Sequence, residues 1–113
     1  MNLQSRIKAF TKLGKYFKNE IYNDMLEDIR IAEIHNPWFT NSSITFSLES
    51  WHKQLKEDML IAWLSPYKLK EVKSKKRILL VMAGNIPLVG FHDFLTVLVL
   101  GHKVVIKLSL IHI

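Results

Sequence analysis

Asn85 is the residue in this chain best placed by its neighbours to do chemistry. It stands in Gly84-Asn85-Ile86-Pro87, directly after the apolar run Ile78 to Ala83. Such a run, short and flanked by a Lys/Arg cluster and a Gly-Asn pair, predicts a strand buried on both faces. Gly84 permits close backbone approach, and the Asn85 side chain carries an amide donor. In open α/β sheets, ligands bind beyond the carboxyl ends of strands, where helix N-termini present free N–H groups. The residue types therefore suit a ligand-facing turn, and they suit a purely structural turn as well. Neither G-x-G-x-x-G nor G-x-x-x-x-G-K-[ST] is present, so the usual dinucleotide fingerprint and the P-loop are both missing.

The other candidates are weaker. His35, His52, His92, His102 and His112 do not fall at a metal-ligand spacing, and no cysteine accompanies them. No metal site is expected. His92 and Asp93 are neighbours, so on a helix they point about 100° apart and cannot form a base–orienter pair with each other. The carboxylates Glu27, Asp28 and Glu33 have nothing nearby to bury them or split their pKa values, which makes them a solvated face.

The elements that must hold these residues follow from periodicity. Pro87 suits a first helical position, Leu88, Phe91, Leu95 and Leu98 recur at helical spacing, and Gly101 can end the helix in the left-handed conformation. Val104 to Leu108 is again short, β-branched and apolar. Strand, crossover helix and parallel strand make a right-handed βαβ unit over 77–108. Upstream, Leu3, Ile7, Phe10 and Phe17 form an apolar stripe opposite Lys8, Lys12, Lys15 and Lys18. Gly14 should weaken this helix by about 1 kcal/mol relative to alanine. The stripe predicts a helix docked on the body of a larger protein. Ile21, Met25, Ile29 and Ala32 predict a second helix over 20–34, stopped by Asn36-Pro37. Thr40, Asn41 and Ser42 are cap candidates for a third, with Ile44, Leu48, Trp51, Leu55 and Trp63 on one stripe and a break before Ser65-Pro66. Trp38 and Phe39 are expected to staple the preceding loop to the core.

These readings give an α/β fold class: a helical region over 1–67, a basic linker over 68–76 and an α/β unit over 77–109. With two strands and one crossover helix, some apolar sheet surface must stay uncovered.

A resemblance joins the pieces. Met82-Ala-Gly-Asn-Ile-Pro-Leu-Val-Gly-Phe-His-Asp-Phe-Leu95, with Gly101-His-Lys-Val-Val-Ile-Lys107, resembles the acyl-CoA reductase family of the aldehyde dehydrogenase superfamily. That family includes the reductase of the complex supplying fatty aldehyde to bacterial luciferase. Ala83 to Leu88 parallels the superfamily string P-W-N-x-P-L, and Gly101 to Ser109 parallels G-N-x-V-x-x-K-P-S. The likeness extends upstream through Asn36 to Thr40 and Trp63 to Tyr67. It implies the first βαβ unit of a Rossmann-type cofactor domain, NADP(H) as cofactor, an acyl-CoA substrate, and assembly as a homo-oligomer or fatty acid reductase complex. It implies Asn85 as oxyanion donor, Gly84 and Ile86 lining the cofactor cleft through their backbones, and Lys107 beside the 2′-phosphate. Gly84 replaces a tryptophan, and Leu108 replaces the proline of K-P-S. The glutamate that often follows in NAD-using members is missing, which tilts the cofactor towards NADP(H). The nucleophilic cysteine has no counterpart.

Composition limits the rivals. The 113 residues are 49% apolar with a formal charge of +6, enough apolar material for a core. Residues 1–18 carry five basic and no acidic side chains, and residues 68–77 carry six and one. Such clusters can meet nucleic acid or anionic lipid. No nucleic-acid module accompanies them, and no run approaches the ~20 apolar residues of a membrane span. The expectation is a cytoplasmic protein without nucleic acid or stable membrane insertion. The alternatives are another oxidoreductase of the same superfamily, or a basic helical module for membrane or nucleic acid.

The last four residues, 110–113, are expected to be a non-native tail. Leu-Ser-Leu-Ile-His-Ile is what CTG-TCT-CTT-ATA-CAC-ATC encodes, a transposase adapter used in shotgun library preparation.

Overall fold

The computed structural model describes residues 1–84 and 88–109. Helices come first: α1 (Leu3–Asn19), α2 (Ile21–Asp24), α3 (Leu26–His35), α4 (Asn41–Gln54) and α5 (Glu57–Leu64). Residues 68–76 carry neither helix nor strand. Then β1 (Arg77–Ala83), α6 (Phe91–Val99) and β2 (Lys103–Ser109) complete the order. The two strands pair in parallel, Arg77 opposite Lys103 and Ala83 opposite Ser109. The α/β class and the strand–helix–strand order are as expected.

α1 lies at the centre of the helical layer. Its stripe places Ile7, Phe10 and Phe17 in the core, and it packs against α2, α4, α5 and α6. The helix therefore docks within this chain. Asn2 caps it, accepting from the Ser5 amide at 2.8 Å. Lys8, Lys12, Lys15 and Lys18 stay in solvent. Gly14 has a use that the sequence hides. A Cβ there would sit 2.7 Å from the Cβ of Leu55, a side chain only 1% exposed. The missing side chain is what lets the end of α4 approach α1, and His52 Nδ1 lies 2.8 Å from the Gly14 carbonyl at the same crossing.

Several boundaries differ from the periodic reading. The expected second helix is split into α2 and α3, because Met25 leaves helical geometry, and Glu20 does the same between α1 and α2. The Tyr16 hydroxyl donates to Asp24 at 2.9 Å across this bend. That hydrogen bond, with burial and the charges of Asp24 and Glu20 adding to it, holds the phenol's pKa above its usual value. The long third stripe is also two helices: α4 ends at Gln54 with Leu55 as its cap, and α5 begins after Lys56, well before Ser65-Pro66. Thr40 is the cap, its hydroxyl accepting from the Ser43 amide. Phe39 packs on the core, but Trp38 does not; it is 88% exposed.

α6 presents apolar residues to the layers on either side of it, and its polar face carries the exposed His92 and Asp93. Leu95 and Val99 join the same core as Ile7, Phe10, Leu48 and Leu60, while Val97 is buried on the opposite side of the helix. One core thus runs through both the helical region and the βαβ unit. The helix begins at Phe91, four residues later than the proline suggested. Leu88 has φ of 62°, and Gly90 packs so tightly on Met82 that a Cβ there would collide with its side chain. Close contact with β1 decides where α6 starts. Its end is as predicted: Gly101 has φ of 90°, and the amides of Gly101 and His102 donate to Leu98 and Val97.

β1 is not buried on both faces. Ile78, Leu80 and Met82 are half-buried, whereas Leu79 and Val81 are 60% and 66% exposed. α6 covers one face, and the described residues supply no second layer.

Candidate functional site

Asn85 and Ile86, the candidate oxyanion donor and one cleft-lining residue, lie outside the described residues, as does Pro87. What flanks them is described. β1 ends at Ala83, and Gly84 follows as an exposed turn residue at the carboxyl end of the sheet. On the far side, Leu88 to Gly90 form a turn that delivers the chain into α6.

Lys107 is on the neighbouring strand, opposite Val81. Parallel pairing puts it towards the same end of the sheet as Gly84, about 10 Å back along the strand at three residues' rise. Its side chain is exposed, on the sheet face away from α6, with no hydrogen-bond or ion-pair partner among the described residues. Of the four sequence candidates, the structure thus brings Gly84 and Lys107 to one end.

The anion logic of this end is particular. A helix N-terminus is ordinarily attractive to phosphate. Here Asp93 occupies the first turn of α6, exposed, so a carboxylate already faces the helix's positive end. A phosphate would meet repulsion there and attraction at Lys107. The residues present therefore fit a 2′-phosphate near β2 better than a pyrophosphate on α6.

Two neighbouring features had no sequence signal. His92, on α6, lies with its ring 6.3 Å from that of Trp51 and 5.9 Å from that of Trp63. With Gln54, Met59 and Leu95 they line a cleft of about 230 Å³. Trp51 and Trp63 are packed against the core, as their spacing implied, but the meeting with His92 depends on how α4, α5 and α6 cross. The second feature is an apolar hollow of about 220 Å³ among Ile21, Met25, Ile29, Ile44, Leu48 and Leu88. Leu88, the first described residue after Pro87, forms part of its wall.

The described residues contain no group of three His, Cys, Asp or Glu side chains able to hold a metal ion, and no helix among them is long and apolar enough to cross a membrane. His102 serves the fold, because its Nδ1 accepts from the Lys76 amide at 3.1 Å, where the linker enters β1. Compared with known protein families, curated proteins and solved structures, the chain has no match.

Proposed function

We propose that this chain is the N-terminal part of an NADPH-dependent acyl-CoA reductase that converts fatty acyl-CoA to fatty aldehyde. The observation supporting it is one of placement. β1 ends at Ala83 with Gly84 following at the carboxyl end of the sheet, and the Gly101 to Lys107 string runs into the parallel neighbour. These are the positions that the resembled family uses for reacting carbonyl and cofactor.

On this reading a cysteine thiolate displaces CoA from the acyl group, and that cysteine lies outside these 113 residues, which contain none. NADPH, when bound, supplies the hydride. The residues of this chain have simpler roles. Asn85 donates its side-chain N–H to the carbonyl oxygen as negative charge develops there. Such a donor accounts for roughly 2.7–4 kcal/mol of barrier. Gly84 and Ile86 offer backbone to the cofactor cleft, and Lys107 meets the 2′-phosphate as a point charge.

The test uses the reductase that carries this segment, with long-chain acyl-CoA as substrate. Asn85→Ala should lower turnover by about 10²-fold or more, with a much smaller effect on NADPH affinity. Lys107→Ala should weaken NADPH more than NADH. Near-normal turnover in the first variant rules out the oxyanion role. Equal loss of both cofactors in the second rules out the phosphate contact.

A further inference from the structure

The sheet has two faces of different character. Ile78, Leu80 and Met82 lie towards α6, while Leu79, Val81 and Val105 form an uncovered apolar strip on the other side. Arg77, Lys103 and Lys107 share that open face and border the strip, and neither strand carries an acidic residue. Parallel sheets are ordinarily covered on both faces. The surface that would fit this one is an apolar stripe bordered by carboxylates.

α3 presents such a stripe. Ile29 is its buried residue. On the outward side Glu27, Ile31 and Ile34 follow one another at i, i+4, i+7 spacing, with Ile34 69% exposed. Glu27, Asp28 and Glu33 outnumber Arg30, which is itself paired with Glu27 at 3.2 Å. Trp38 stands just beyond the helix, the most exposed of the large hydrophobic side chains among the described residues and of the type that anchors interfaces. α3 packs on α4, α4 on α1, α1 on α6, and α6 on the sheet. The acidic stripe and the basic strip stand at opposite ends of that order.

We propose that the chain associates head to tail, with α3 and Trp38 of one copy seated on the open sheet face of the next. Charge complementarity selects this pairing. Two sheet faces stacked on each other would oppose cation to cation, at a cost that disfavours the symmetric dimer. A contact between two different surfaces leaves one of each free, so assembly continues beyond the dimer unless a ring closes. The proposal concerns this 113-residue chain and does not depend on the reductase reading.

Sedimentation velocity over a concentration series tests it. The wild-type chain should form species larger than a dimer, with tryptophan emission shifting to the blue as Trp38 leaves water. Raising salt from about 0.1 M to about 1 M shortens the screening length from ~10 Å to ~3 Å and should weaken association. Ile34→Glu and Val81→Glu should each weaken it by about tenfold or more. Trp38→Ala and Lys103→Glu, at exposed positions where folding is not at stake, should act in the same direction.

An equimolar mixture of Ile34→Glu and Val81→Glu keeps one intact surface of each kind. It should give a discrete dimer that neither variant forms alone. A wild-type chain that stays monomeric overturns the proposal. So does a mixture without the dimer, or assembly indifferent to both Ile34→Glu and Trp38→Ala, which would place the contact at the strand edges instead.

Discussion

Arg6 is counted in the sequence as one more charge on a basic N-terminal helix, yet it has a structural role its neighbours lack. Its Nε donates to the Val99 carbonyl at 2.8 Å, and its guanidinium lies over Gly101, where a Cβ would come within about 3.1 Å of it. A cation thus closes the C-terminus of α6, satisfying a carbonyl left open by the helix end and opposing the negative end of its dipole. Lys8, Lys12, Lys15 and Lys18, by contrast, point into solvent. Hydrogen bonds to charged groups contribute roughly 1.5–3 kcal/mol. Arg6→Ala should therefore lower the free energy of unfolding by about 1.5 kcal/mol in urea titrations, while Lys8→Ala should change it by less than about 0.5 kcal/mol. Equal effects of the two would remove Arg6 from the helix end.

At the scale of elements, the crossing of α1 with the end of α4 is where local preference and packing disagree. Alanine is favoured over glycine inside a helix by about 1 kcal/mol. At Gly14 the added methyl would meet Leu55 Cβ at 2.7 Å and its carbonyl oxygen at 3.2 Å. Neither atom belongs to a flexible side-chain end, and overpacking of this kind costs about 1–3 kcal/mol. Packing should win. Gly14→Ala is expected to destabilise the protein by about 1 kcal/mol or more despite its better propensity, read from the midpoint of chemical unfolding. A stabilised variant would mean that the α1–α4 crossing is looser than described. The same contest set the start of α6, where contact between Gly90 and Met82 overrode the proline signal upstream.

For the whole molecule, the decisive feature is that Leu95 and Val99 share a core with Ile7, Phe10, Leu48, Leu60 and Leu64. The basic segment 68–76 joins two stretches that are packed together on either side of it. It is almost wholly exposed and contains Lys68, Lys70, Lys73, Lys75 and Lys76. Exposed lysine-rich connections without helix or strand are preferred sites for proteolysis. Brief trypsin treatment should therefore cut first in 68–76, and the two pieces should co-elute on gel filtration until denaturant is added. Pieces that separate at once would show that the interface between α1 and α6 is too weak to hold the molecule together.

Much of this architecture was readable in one dimension. The stripes of α1 and α4, the Thr40 cap, the left-handed Gly101 and the parallel strand–helix–strand unit all depend on spacing along the chain or on a single residue's conformational freedom. Asn85 is legible for the same reason, through its place after an apolar run. The rest depends on which surfaces meet. Nothing in the spacing of Trp51, Trp63 and His92 says that their rings converge, because three separate helices must cross to bring them together. Arg6 and Val99 are ninety-three positions apart, and only the docking of α1 on α6 makes them partners. Whether Trp38 enters the core or faces water was likewise decided by the turn geometry after α3. The open sheet face is the clearest case: alternation along β1 is fixed by the pleat, but which apolar residues stay in water depends on how many layers fold over it.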